Sequence, residues 1–477
     1  MTLDPDACYR AIRTRDARFD GRFFTAVRTT GIFCRPICPA LPKARNCLFF
    51  PSAAAAQEAG YRPCLRCRPE VAPGTPAWLG TCATVSRAQR LIADGALDHG
   101  GVDDLAVRLG VGARHLRRLF LKHLGASPQA VAHSRRLLFA KQLIDETQLP
   151  MSQVAFASGF SSVRRFNDAV RRAYDRTPGE LRRRTGPSTS AIALRLPYRP
   201  PYAWKELLAY LAFRAIPGVE RVDSESYART ISIDGVAGVL EVRAVEGADE
   251  LVAHVRVSAP VSLIGLYERL RRMFDLAADP LEIAGQLEHD EALRTRLRRL
   301  PGLRIPGAWS GFELAVRAIL GQQVSVRGAT TLAGRLAATF GARMEESGNE
   351  LGLTLLSPTP EALCEGEIEK IGLPRARAAA IQALGRAVCK GEISFDAGFG
   401  LEPTVESLCA LPGIGEWTAH YVAMRAFGEP DAFPAGDLGL RRALGDARGP
   451  MPERALRTRA EAWRPWRAYA AMALWQG

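Results

Sequence analysis

The chain has 477 residues, 47% of them hydrophobic, and a net charge of +14. That is an ordinary soluble globular composition, long enough for three or four domains that each bury a core. No apolar run of about 18 residues occurs and the first ten residues carry no signal-peptide core, which argues against a membrane or secreted protein and predicts a cytoplasmic one. The charge is segregated. Residues 1–85 carry a net +6, residues 86–186 a net +9 and the rest −1, so the basic character that suits nucleic acid lies in the first 186 residues.

Seven of the ten cysteines precede residue 83. In a reducing compartment such clustering favours metal or catalytic thiols over disulfides. Cys34, Cys38, Cys64 and Cys67 read C-x3-C, a gap of 25 residues, then C-x2-C. Two short thiol pairs at that separation suit one tetrahedral Zn²⁺. Arg35, Arg62, Arg66 and Arg68 flank them, an arginine fringe expected of a thiolate cluster that meets DNA phosphate. Cys8, Cys47 and Cys82 lack ligand spacing and read as small buried hydrophobes.

Gly31-Ile32-Phe33-Cys34-Arg35-Pro36, with Gly60-Tyr61-Arg62-Pro63-Cys64, closely resembles the N-terminal domain of the Ada family of DNA-methylation repair proteins, over about residues 5–70. The resemblance implies that Cys34 is both a zinc ligand and a methyl acceptor, taking a methyl group once and irreversibly from a DNA phosphotriester. The chemistry fits, because the thiolate is the nucleophile and a bound metal keeps it deprotonated. Four thiolates on one Zn²⁺ carry a net −2, and methylation leaves −1. At about 10 Å and an effective dielectric of about 20, that change is worth roughly 1.7 kcal/mol per nearby phosphate. Methylated Cys34 is therefore expected to strengthen DNA binding and signal damage. The alternative is a purely stabilising four-cysteine zinc.

Residues 69–76 and 185–190 read as linkers, with a softer boundary at Leu300-Pro301-Gly302. Between 86 and 184 the apolar spacing is helical. Val102 to Val111 and Met151 to Phe160 are short amphipathic helices ending in a Gly turn, 49 residues apart, each with a small Ala four residues before the Gly. That is the helix-turn-helix pattern. Each is followed by a helix rich in basic and polar groups, Arg114, Arg117 and Arg118 in the first and Arg164, Arg165 and Asn167 in the second. The pair resembles the AraC-type DNA-binding domain, and those six residues are its expected DNA contacts. The alternative is a helical scaffold with solvated basic faces.

From about 194 to 258, β-like segments appear at 229–233, 239–245 and 251–257. From Pro306 the pattern is helical again. Leu411-Pro412-Gly413-Ile414-Gly415 joins two helical stretches, and Gly413 and Gly415 allow a tight turn whose N–H groups point at a phosphate. Taken alone, this helix-hairpin-helix signature also fits a simple αα-corner. Ala318 to Val326, Asp431 to Leu438, and Trp463 through Trp475 complete a likeness to the AlkA class of helix-hairpin-helix DNA glycosylases, which remove 3-methyladenine and related bases. It runs from about Leu196 to the C-terminus.

The resemblance implies Asp437 as the catalytic carboxylate, which also suits a helix N-cap. It implies Trp417, Tyr421, Trp475 and Tyr210 as the base pocket, the alternative for each being ordinary core packing, and Gln323 as the residue that fills the gap left by a flipped base. A monovalent cation held by the carbonyls of Cys409, Leu411 and Ile414 is implied as well. An electron-poor alkylated purine stacks well on aromatic faces. Related enzymes that also cut the strand carry a lysine near Trp417 for Schiff-base chemistry, so a monofunctional glycosylase is expected. Three positions depart from the pattern: Gly436, Gln323 where an apolar wedge is usual, and Glu416 where a basic residue is expected.

The fold expectation is a multidomain α+β chain. It has a zinc-binding α/β domain (1–78), an all-α double helix-turn-helix domain (84–186), a small mixed α/β domain with an antiparallel sheet (194–300) and an all-α helix-hairpin-helix glycosylase domain (301–477). The function expected is a bifunctional alkylation-damage response protein, acting on double-stranded DNA at lesions and at a promoter, with RNA polymerase as a further partner of an activator. No Pro-Cys-His-Arg motif occurs, so O6-methylguanine transfer is not expected. The alternative is a DNA-binding regulator whose glycosylase-like half binds damage without catalysis.

Overall fold

The computed structural model describes residues 3–73, 83–98, 100–182, 192–344, 351–395 and 400–476. They form two units, Met1–Pro200 with Val245–Glu268, and Pro201–Ala244 with Arg269–Gly477.

The first unit opens with α1 (Pro5–Thr14), whose Asp4 cap accepts from Asp6 N–H. Strands β1 (Phe24–Val27), β2 (Ile32–Cys34), β3 (Cys47–Phe50) and β4 (Arg62–Pro63) form a sheet in the order β3-β1-β2-β4. Phe24, Ala26 and Phe33 are buried with Ala53 and Ala56 of α2 (Ala53–Glu58), a run of four alanines that lets helix and sheet approach closely. β2 and β4 pair in parallel with Phe33 opposite Pro63, which brings the next residues, Cys34 and Cys64, side by side. The first part of the expected linker is packed instead. Pro69–Val71 is a 3-10 turn with Pro69 and Glu70 buried, because the Glu70 carboxylate lies between Arg68 and Lys141. Residues 74–76, Cys82 and 185–190 lie outside the described residues.

Helices α3 (Ala83–Ala93), α4 (Val102–Arg108), α5 (Ala113–Leu124), α6 (Pro128–Glu146), α7 (Met151–Ala157), α8 (Val163–Tyr174) and α9 (Pro178–Leu181) follow. The internal repeat extends to backbone detail. Val111 N–H bonds the Ala106 carbonyl and Phe160 N–H the Ala155 carbonyl, both at 3.0 Å, and both alanines are buried. β5 (Ile192–Pro197) pairs antiparallel with β9 (Glu250–Val257) in this unit.

The second unit holds α10 (Trp204–Ala212) and the antiparallel strands β6 (Glu220–Val222), β7 (Ser226–Ile233) and β8 (Val236–Ala244). Helix α11 (Leu263–Met273) comes after β9. Then come α12 (Pro280–Leu287), α13 (Glu291–Arg299), α14 (Gly311–Leu320), α15 (Val326–Phe340), α16 (Pro360–Cys364), α17 (Arg375–Cys389), α18 (Leu401–Cys409), α19 (Glu416–Ala426), α20 (Leu438–Ala443), α21 (Glu453–Ala460) and α22 (Arg467–Trp475). Their core is aliphatic, with Ile319, Leu336, Ile381, Leu384, Leu408 and Val422 buried together. Each such side chain contributes about 1.5–3 kcal/mol. At the softer boundary Leu300-Pro301-Gly302 the chain makes a turn, with Gly302 at φ 83° and its carbonyl accepting from Ala203 N–H at 3.0 Å.

Candidate metal centre and catalytic pocket

The four predicted thiols meet. The Sγ atoms of Cys34, Cys38, Cys64 and Cys67 all lie within 4.8 Å of one another, and among the described residues theirs is the cluster of metal-ligating side chains that converges. Parallel pairing sets Cys34 beside Cys64, and Cys64 N–H donates to the Phe33 carbonyl at 3.0 Å. Turns return Cys38 and Cys67 to the same point. Cys38 and Cys67 are buried, Cys34 and Cys64 partly exposed. Contact with Cys38, Cys64 and Cys67, together with burial, pushes the Cys34 thiol up, while contact with Cys34, Cys38 and Cys67 pulls Cys64 down. Thiolates this crowded need a compensating cation, and a soft set of four sulfurs in tetrahedral reach fits one Zn²⁺.

The arginine fringe divides. Arg35 turns inward, its backbone N–H 3.3 Å from Cys67 Sγ, its Nη1 donating to the Cys67 carbonyl at 3.2 Å and its Nε to buried Asp20 at 3.0 Å. Arg68 also faces protein, 2.9 Å from Glu146, 3.3 Å from Glu70 and 3.4 Å from Asp145. Lys141 of α6 completes this buried cluster, 2.5 Å from Asp145 and 3.6 Å from Glu70. The expectation that all four arginines face phosphate is thus corrected: Arg35 and Arg68 answer buried carboxylates, and Arg62 and Arg66 remain exposed. Cys8 is buried as expected, whereas Cys47 is only partly so and its thiol donates to the Lys43 carbonyl at 3.4 Å.

On α5, Arg114, Arg117 and Arg118 are exposed, and on α8 so are Arg164 and Arg165, with Asn167 half-buried. Apolar Leu116, Phe120, Phe166 and Val170 anchor the opposite faces. Both second helices therefore present their predicted basic side chains to solvent.

In the second unit, Asp437, Trp417, Tyr421, Trp475 and Tyr210 come together from α10, α19, α20 and α22. Asp437 caps α20, its Oδ1 accepting from Leu440 N–H at 2.9 Å. The same oxygen accepts from Trp475 Nε1–H at 3.0 Å and Oδ2 from Trp417 Nε1–H at 2.8 Å. Trp417 stacks on Tyr421, ring centroids 5.4 Å apart and planes 8° from parallel, and Trp475 meets Tyr421 edge-on at 6.2 Å. The Tyr210 and Tyr421 hydroxyls are 3.4 Å apart.

Behind them stand arginines that the sequence did not single out. Arg425 Nη1 donates to the Tyr421 hydroxyl at 2.5 Å and its Nε to the Pro306 carbonyl at 2.6 Å. The Arg214 guanidinium lies 3.6 Å from the Tyr210 ring centroid. Burial raises the Tyr421 phenol, but Arg425, Arg214 and the hydroxyl contacts outweigh it and bring it down to about 8. Burial and the neighbouring Tyr421 push Tyr210 up to about 12 against the pull of Arg425 and Arg214. The i, i+4 spacing of Trp417, Tyr421 and Arg425 along one helix face was the available signal.

The hairpin between α18 and α19 explains its glycines separately. Gly413 has φ +80°, and a Cβ there would lie 2.6 Å from Ala380 Cβ. At Gly415 a Cβ would meet open space, which leaves the N-terminus of α19 accessible. Gln322, another residue not singled out, ties the end of α14 to the hairpin through the Gly413 carbonyl at 2.9 Å and Thr418 Oγ1 at 3.2 Å. Gln323 is exposed in a left-handed conformation (φ 56°) between α14 and α15, beside exposed Val324 and Val326. Glu416 pairs with Arg457 at 2.8 Å, which offsets its charge near the turn.

Four family models match: the metal binding domain of Ada (residues 7–70), a helix-turn-helix domain (105–184), the AlkA N-terminal domain (193–310) and the HhH-GPD superfamily of base excision DNA repair proteins (316–468). A Mycobacterium tuberculosis protein named as a probable bifunctional transcriptional activator/DNA repair enzyme AlkA is 43% identical over 100% of this chain and 97% of its own length. DNA-3-methyladenine glycosylase 2 of Escherichia coli is 33% identical, covering 59% of this chain and 95% of that protein. The solved 3-methyladenine DNA-glycosylase from Archaeoglobus fulgidus superposes with a TM-score of 0.52 at 27% identity, over 59% of this chain and 97% of that one. With an Ada-type four-thiol centre, paired helix-turn-helix units and an aromatic-walled carboxylate in one polypeptide, the chain belongs to the family of bifunctional transcriptional activator/DNA repair enzymes of the AlkA type.

Proposed function

We propose that Asp437 is the catalytic carboxylate of a monofunctional alkylbase DNA glycosylase of the 3-methyladenine type. An alkylated purine already carries positive charge and leaves without prior protonation. As the glycosidic bond breaks, its electron pair goes to the base and positive charge develops on the sugar. A carboxylate about 4 Å from that charge, at an effective dielectric of about 20, lowers the barrier by about 4 kcal/mol, roughly 10³ in rate. Water then adds to the sugar. Trp417, Tyr421, Trp475 and Tyr210 hold the flipped base by stacking, and the Gly413–Gly415 turn grips phosphate.

The observation that carries this reading is the convergence of three N–H donors on Asp437 between two aromatic walls. Asp437→Asn keeps an oxygen for the Leu440 N–H and removes the charge. It is expected to lower base release from alkylated DNA by about 10³ in protein that circular dichroism shows to be folded, while its amide NH2, set against the Trp417 indole N–H, lowers stability by about 1–3 kcal/mol. Equal release from variant and wild type would remove Asp437 from the role, and a borohydride-trapped DNA adduct would remove the monofunctional mechanism.

We propose further that Cys34 is a single-use methyl acceptor. Its sulfur attacks the methyl carbon of a phosphotriester, the carbon–oxygen bond breaks, and the electron pair leaves on the phosphate oxygen as a diester. Zinc on the four sulfurs supplies the positive charge that keeps them ionised. Arg35, held by Asp20, fixes the loop between Cys34 and Cys67. The reading assigns 1–78 to this sensor, 84–186 to promoter binding through Arg114, Arg117, Arg118, Arg164, Arg165 and Asn167, and 194–300 and 301–477 to excision. RNA polymerase is the expected partner of the activated form, and the cytoplasm its place. Among the described residues no helix is long and apolar enough to cross a membrane. Mass spectrometry after exposure to methylated DNA should find one methyl group, on Cys34.

A further inference from the structure

Outside both sites, the last residues of α16 and α17, Cys364 and Cys389, stand with their Sγ atoms 3.3 Å apart although 25 positions separate them in the chain. Cys389 is exposed and Cys364 partly so. The approach is built into the helix packing. Gly385 of α17 leaves the space in which α16 sits, since a Cβ there would lie 3.1 Å from the Pro360 carbonyl oxygen and 3.4 Å from Cys364 Sγ. Leu363, Ile381 and Leu384 are buried beside the pair in the same aliphatic core. A disulfide needs an S–S separation of about 2.05 Å, so closure asks for a shift of only about 1.2 Å.

We propose that Cys364 and Cys389 are an oxidisable dithiol, converted by hydrogen peroxide to a disulfide that staples α16 to α17. The exposed Cys389 sulfur attacks one peroxide oxygen. The O–O bond breaks, water leaves, and a sulfenic acid forms. Cys364 sulfur then attacks Cys389 sulfur, the S–O bond breaks, and a second water leaves with the Cys364 proton. Two thiols are oxidised and one peroxide is reduced to two waters. Contact with Cys364, then partial burial and finally the nearby Glu361 push the Cys389 thiol up to about 11. The bond closes a loop inside the excision half and constrains its unfolded chain.

The test uses the full-length, zinc-loaded protein treated with hydrogen peroxide, with free thiols blocked before digestion and peptides mapped with and without dithiothreitol. The expected result is a linked peptide pair containing Cys364 and Cys389, and a Tm higher by about 5–10 °C that dithiothreitol reverses. Cys389→Ser should show neither. Exposed Cys409 serves as an internal record that oxidant reached the protein. Oxidation of Cys409 with Cys364 and Cys389 still free, recovery of Cys389 as sulfinic acid, or the same Tm rise in Cys389→Ser would each overturn the proposal.

Discussion

A methyl group placed on Gly439 would lie 2.9 Å from Asp437 Oδ1 and 3.5 Å from the Trp475 ring. Gly439→Ala should therefore improve the local helix propensity yet displace the carboxylate. Single-turnover base release is expected to fall by about 10-fold or more, because small misplacements of a reacting group are costly. A second residue governs stability rather than rate. Burial pushes Asp275 up to about 6 against the pull of Arg304, whereas an unfolded aspartate titrates near 4. Between about pH 4 and pH 6 the folded form holds the extra proton, so stability falls as pH rises through that window. Asp275→Asn keeps an oxygen for Ile305 N–H and the Tyr469 hydroxyl. It should add about 1–3 kcal/mol at pH 7.5 and almost nothing near pH 4, read from denaturation at both. The four zinc-site cysteines were legible from spacing alone. The indole clamp on Asp437 was not, since Trp417 and Trp475 lie 20 and 38 residues from it and nothing local marks an indole N–H as a donor.

At the scale of elements, the ligand loop is fastened to α6. Arg68 directly follows Cys67 with φ 53° and shares a buried cluster with Glu70, Lys141, Asp145 and Glu146. Arg68→Ala would leave three carboxylates facing one lysine. The expected loss is about 3–5 kcal/mol, with faster amide exchange at the C-terminal end of α6. Unchanged exchange there would show that the loop and α6 are independent. This cluster is also where the sequence misled. Arg35 and Arg68 read as phosphate-facing because Asp20 and Glu146, which turn them inward, lie 15 and 78 positions away, and the nearby Glu70 gave no sign that it is buried. The helix-turn-helix pair was read correctly because its signal is local: a small residue, a glycine and a fixed period. Strands β5 and β6 escaped notice, one beside the presumed linker at 185–190 and the other only three residues long.

For the whole molecule, the charge segregation separates two kinds of DNA contact. The basic first 186 residues suit a long-range, counterion-releasing attraction, whereas the excision half has a net charge of −1, and in the proposed function its grip comes from the hairpin turn and the aromatic walls. Replacing Arg114, Arg117, Arg164 and Arg165 with alanine should flatten the slope of log affinity against log salt by up to about 4 on promoter DNA. Base release from a short damaged duplex at saturating protein should change less than about twofold. A matching fall in both would mean that the excision half borrows its grip from the helix-turn-helix pair.

The indole clamp also makes the carboxylate proposed for catalysis visible to light. Trp417 and Trp475 each donate to an Asp437 oxygen, and the emission of an indole responds to a negative charge at its nitrogen. The intrinsic fluorescence of these two residues should therefore change when a base arrives beside the rings, without a label.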